Sequence, residues 1–162
     1  MSANPSISAI INQLNLQSRL FKNVLADIKS GDTSKRVADT LNHVSWQAGH
    51  IVFARYNMAG LLGIKDANPY GELYANFKPL DPAVKYPTIE DAKIKFDEIT
   101  AKLMPALESV TDDQLAGPLP FKIPFDENNV RGMIAFISHH EAYHIGQLGV
   151  LRRSLGYEPM KY

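Results

Sequence analysis

Apolar residues at Ile7, Ile10, Ile11, Leu14, Phe21, Leu25 and Ile28 recur in steps of three and four, the spacing of one helix face, with Ser18 as the one polar interruption. The pattern predicts an amphipathic helix from Ser6 to about Ile28, closed by Lys29-Ser30-Gly31-Asp32, where a basic last turn meets a glycine stop. A second helix is expected to open at Asn42 or Ser45, both favoured N-caps, and to run through Trp46, His50, Phe53 and Leu61 toward Gly63. Thr88 caps a predicted third helix with Asp91 at its N3 position. Its buried stripe is Ile89, Ala92, Phe96, Ile99, Leu103 and Leu107, and Pro105 is expected to kink it late. Asn128 or Asn129 caps a fourth, running from about Val130 to Leu155 and stopping at Gly156. Four such helices predict an all-α, four-helix bundle.

The connections differ in character. Residues 65–87 hold Pro69, Pro79, Pro82 and Pro87 among Tyr70, Tyr74, Phe77 and Tyr86, too proline-rich for a helix and too aromatic for a bare linker, so an ordered crossover loop is expected. Between Val110 and Asn129 the alternation of Phe121, Ile123 and Phe125 suggests a short extended piece.

Length and composition narrow the classes. A chain of 162 residues is expected to form one domain, 1–162, with a core that needs no staples. Lys plus Arg equals Asp plus Glu at 17 each, and the only basic clusters are the pairs Lys35-Arg36 and Arg152-Arg153, so no nucleic-acid partner is expected. The absence of cysteine excludes disulfides, thiolate ligands and a protein thiolate nucleophile. The start, MSANPSISAIINQLNLQ, has no basic opening or continuous apolar stretch, and no later segment is long and apolar enough to span a bilayer. A cytoplasmic protein with no membrane partner is expected.

The chemistry lies in the histidines. In the fourth helix the apolar face of Met133, Phe136, Ile137, Leu148 and Leu151 passes through His140 and His144, so both face the interior. Histidines at i and i+4 project side by side and can share one ion. Burying two imidazoles without partners costs several kcal/mol, which a metal would offset. A site with open positions needs a third ligand, and His50 on the partly apolar second helix is the leading candidate. His139 points about 100° away from His140 and His43 lies at a helix start, so both are assigned to structure. The run His140-Glu141-Ala142-Tyr143-His144 also matches H-E-x-x-H, in which a glutamate activates a metal-bound water. A metalloprotease usually takes its third ligand downstream, but Glu158, beyond the stop at Gly156, is the sole acidic candidate there, and no strand precedes the helix to bind an extended peptide.

Trp46-Gln47-Ala48-Gly49-His50, then His140-x-x-x-His144-Ile145-Gly146-Gln147, then Arg152 or Arg153 and Leu155-Gly156, resemble the DinB family over most of the chain. The resemblance implies an up-down-down-up bundle with a long crossover after the second helix. It implies zinc or nickel held by His50, His140 and His144 with water completing the coordination, and a homodimer. Some relatives are thiol S-transferases or isomerases that use bacillithiol, mycothiol or glutathione. The expected function is therefore a metal-dependent S-transferase joining a low-molecular-weight thiol to a small electrophile. The alternatives are a non-catalytic metal- or ligand-binding stress-response protein, or a metal-dependent hydrolase. Glu141 is a candidate general base, or else a charged surface residue. Gln147, Tyr143 and Arg152 are candidates for ligand contact or for plain packing, and the loop aromatics either wall a pocket over the metal or fasten the loop to the core.

Overall fold

The computed structural model describes residues 4–162. Among them are six α-helices and no strand: α1 (Ser8–Val24), α2 (Val44–Leu61), α3 (Gly71–Tyr74), α4 (Ile89–Ser109), α5 (Asp112–Leu115) and α6 (Val130–Ser154). α1 and α2 each pack against both α4 and α6. One continuous core lies between these four long helices, filled by Leu14, Phe21, Ile51, Met58, Phe96 and Leu148 among others. No helix among the described residues is long and apolar enough to cross a membrane.

The ends of the helices show which local rules prevailed. α4 begins where expected, with Thr88 Oγ1 accepting the Asp91 N–H at 3.1 Å, and Pro105 is carried inside it. α6 is capped by Asn129, whose Oδ1 accepts the Gly132 N–H, and ends at Gly156 with a left-handed φ of +87°. There the Tyr157 N–H reaches back to the Arg152 carbonyl and closes the last turn. α2 is capped by neither Asn42 nor Ser45: His43 is the cap, its Nδ1 accepting the Trp46 N–H at 3.1 Å. α1 ends at Val24, four residues before the expected Ile28. The apolar period misleads there because Leu25 and Ile28 stay buried in the turn that follows, which passes through Asp27 at φ 61°. The buried Arg152 guanidinium fastens that turn by donating to the Val24 and Ala26 carbonyls, so Arg152 is a packing residue.

The link from α2 to α4 is ordered, containing α3 and a 3-10 turn over Ala75–Phe77. The extended piece expected around Phe121 and Phe125 does not form a strand. Only an isolated bridge pairs Pro118 with Asn129, and both phenylalanines are exposed, since alternation without a partner strand leaves backbone groups to water. Before it, Thr111 and Gln114 form an unforeseen capping box for the single turn of α5.

Candidate metal centre

α2 brings His50, and α6 brings His140 and His144, to one point. His140 Nε2 lies 3.2 Å from His50 Nε2 and 3.0 Å from His144 Nε2. Ligand atoms of all three fall within 4.8 Å of one another, the one such convergence of metal-ligating groups among the described residues. Nitrogens about 2.0–2.1 Å from one ion stand about 3.3 Å apart in a tetrahedron and about 2.9 Å apart on an octahedral face. The two observed separations lie between these values.

The surrounding groups fix which nitrogen of His144 is free. Gln47 Nε2 donates to Gln147 Oε1 at 2.8 Å, so Gln47 presents its oxygen to His144. His144 Nδ1 meets two acceptors, Gln47 Oε1 at 2.6 Å and Gln147 Oε1 at 3.0 Å, and must carry the proton. Its Nε2 then offers a lone pair at the point of convergence, the arrangement of a metal-ligating histidine oriented by an outer partner. The three rings cannot satisfy one another, because His140 Nε2 has two nitrogen neighbours and at most one proton to give. A divalent cation accepts all three lone pairs at once, so the donor set fits one.

Burial holds the His50 ring at about 3, far below the usual histidine range, with His144 and His140 adding to the effect. Burial likewise lowers His144 to about 4, followed by the neighbouring His140, while its bond to Gln147 pulls the other way. His140 is also lowered, chiefly by burial. All three rings are therefore neutral near pH 7, the protonation state a ligand needs. His50 is stacked on Trp46 with centroids 4.6 Å apart and meets Tyr74 edge-on at 5.2 Å. Gly49 permits this packing: a Cβ there would lie 2.2 Å from the Tyr74 hydroxyl and 2.9 Å from Pro87 Cγ.

A cavity of about 610 Å³ opens beside His50 and His140, walled by Trp46, Phe53, Tyr74, Phe77 and Phe136. The crossover aromatics thus divide between both expected roles. Tyr74 and Phe77 wall the cavity. Tyr70 and Tyr86 hold the loop, Tyr70 by donating to Asp91 at 2.5 Å and Tyr86 by accepting the Asp81 N–H at 2.9 Å.

Glu141 is not brought to the histidines. It is fully buried, and Arg55 spans both its oxygens, Nη2 to Oε1 at 2.5 Å and Nε to Oε2 at 3.0 Å. Arg55 also donates to Ser18 Oγ on α1 and Thr100 Oγ1 on α4, and lies 4.0 Å over the Phe96 ring. One arginine therefore joins all four long helices. Neither geometry considered for Glu141 is found, since it reaches neither the triad nor the surface. Tyr143 and His139 are exposed, and Gln147 supports His144. Gln47 and Arg55 were not foreseen. The signals for Arg55 were Ser18 interrupting the apolar stripe of α1, and a cation within an otherwise almost wholly apolar stretch of α2.

Packed helices with three converging imidazoles and an adjoining apolar cavity define a helical protein whose donor set fits a divalent ion. A family model, the DinB superfamily, matches residues 5–148, and the chain belongs to that superfamily. A conserved protein from Enterococcus faecalis is similar in fold, with a TM-score of 0.67 at 15% identity, covering 91% of this chain and 95% of its own. A DinB-like protein from Bacillus subtilis has a TM-score of 0.60 at 19% identity, covering 98% and 97%. No curated protein matches the sequence.

Proposed function

We propose that this protein holds one zinc or nickel ion on His50, His140 and His144 and uses it to join a low-molecular-weight thiol to a small apolar electrophile. The observation that carries the reading is the convergence of three neutral Nε2 atoms at the edge of an aromatic cavity. A divalent ion bound there supplies Lewis acidity that lowers the pKa of a thiol. In the transfer the thiol proton leaves to solvent, the sulfur forms a bond to carbon, and the leaving group departs with its bonding pair. Trp46, Phe53 and Phe136 bind the electrophile and exclude water, while Gln47 and Gln147 hold the His144 proton on Nδ1.

The engagement of both Glu141 oxygens by Arg55 favours this reading over hydrolysis of the H-E-x-x-H kind, in which that glutamate must be free to reach water. A single domain over residues 1–162, an up-down-down-up course of the long helices, a homodimer and a cytoplasmic location complete the proposal. It is tested by measuring consumption of aryl and alkyl halides with glutathione, bacillithiol or mycothiol before and after chelation. Turnover that disappears on chelation and returns with zinc or nickel is expected. No thiol consumption by metal-loaded protein, with chelation sharply lowering the melting temperature, would instead make this a non-catalytic metal-binding protein.

A further inference from the structure

A second cavity, of about 450 Å³, shares no lining residue with the one beside the histidines. It lies where α2 and α4 begin, with His43 and Ser45 contributed by one helix start and Thr88, Ile89 and Glu90 by the other. Its polar side chains are chiefly hydroxyls and cations. His43 and Ser45 are 6% and 5% exposed, yet neither His43 Nε2 nor Ser45 Oγ has a hydrogen-bond partner among the described residues, and neither is sealed from solvent. Because His43 Nδ1 accepts the Trp46 N–H, the neutral ring carries its proton on Nε2. The first-turn N–H groups of Ile89 and Glu90 have no carbonyl ahead of them in α4, and the positive ends of two helix dipoles meet here.

Charge and shape agree with that polarity. Arg36 and Lys85, from two different loops, line the cavity and belong to no ion pair among the described residues, against Glu90 as the one acidic lining residue. One part of the wall is apolar, formed by Leu80, Val84, Tyr86 and Pro87, and another carries the hydroxyls of Ser30, Thr33 and Ser34. Nearly buried donors left without acceptors, two unpaired cations and an apolar wall together describe a receptor for an oxyanion attached to an apolar body.

We propose that this cavity binds a small organic anion, its carboxylate or phosphate held by His43, Ser45, Arg36 and Lys85 and its apolar part resting on Tyr86 and Val84. The site is independent of the metal centre.

Isothermal titration of the full chain with benzoate, phenyl phosphate and the neutral control benzyl alcohol tests it. Saturable binding of one anion per chain is expected, with benzyl alcohol silent, and the tighter of the two anions identifies the head group. The exposed pair Arg36→Glu and Lys85→Glu, made together, should weaken binding at least tenfold at unchanged melting temperature and metal content. Ser45→Ala, which keeps both cations, should weaken it several-fold. The proposal is overturned if neither anion binds, if the double variant binds as the wild type does, or if His50→Ala abolishes binding, which would place the anion at the histidines.

Discussion

Replacing Glu141 by Gln keeps the shape of the side chain and removes its charge, leaving the Arg55 guanidinium in the interior without a counter-ion. Both partners are fully buried, so solvent screens the pair little. Removing one member of such a pair costs about 3–5 kcal/mol, a large share of a total stability of about 5–15 kcal/mol. For a chain of this size that corresponds to a fall in melting temperature on the order of 10 °C, read by circular dichroism on metal-free protein. The double replacement Arg55→Met with Glu141→Leu should recover most of the loss, since apolar residues of similar volume often match a buried ion pair. The hydroxyls left behind keep partners of their own, Ser18 Oγ on the Leu14 carbonyl and Thr100 Oγ1 on the Phe96 carbonyl. The same variant separates structure from catalysis. A Glu141→Gln protein within about 1 kcal/mol of wild-type stability but without turnover would refute the clamp and restore Glu141 as a base.

Gln47→Leu removes the closer acceptor of the His144 Nδ1 proton and should weaken metal affinity roughly 10–100-fold with little change in helix content, as measured by competition with a chromogenic chelator. Gly49→Ala drives a Cβ into the Tyr74 hydroxyl and Pro87. It should cost about 1–3 kcal/mol in denaturant unfolding and shift Trp46 fluorescence, because Tyr74 stacks edge-on to that ring. The metal-free protein should lose stability as pH falls. His50 and His144 have folded pKa values lowered to about 3 and about 4, so the unfolded chain takes up protons first. Their contribution is complete above the unfolded value of about 6.5 and is lost progressively below it, so melting temperature should fall between pH 7 and 5, and less steeply in His50→Ala.

The convergence of the histidines was legible because a period of 3.6 places His140 and His144 on the same stripe as Phe136 and Leu148, where imidazoles at i and i+4 project side by side. The helices were legible for the same reason, and their departures have local causes. His43 caps α2 through a ring nitrogen, a role that composition assigns to Asn42 or Ser45, and the buried turn after Val24 continues the helical period beyond the helix. The Arg55–Glu141 pair was not legible, since its members lie 86 residues apart and Glu141 sits beside two histidines in a motif that suggests a base. Gln47 was hidden because its partner, His144, lies 97 residues away and the choice of acceptor depends on how α2 and α6 pack.

The most direct test is elemental analysis of untagged protein purified without added chelator, comparing the wild type with His50→Ala, His140→Ala and His144→Ala. About one equivalent of zinc or nickel per wild-type chain, lost in each variant while the helical spectrum persists, is the predicted result. Wild-type protein that contains no metal, and takes up neither zinc nor nickel on incubation, would contradict the assignment of these histidines as ligands.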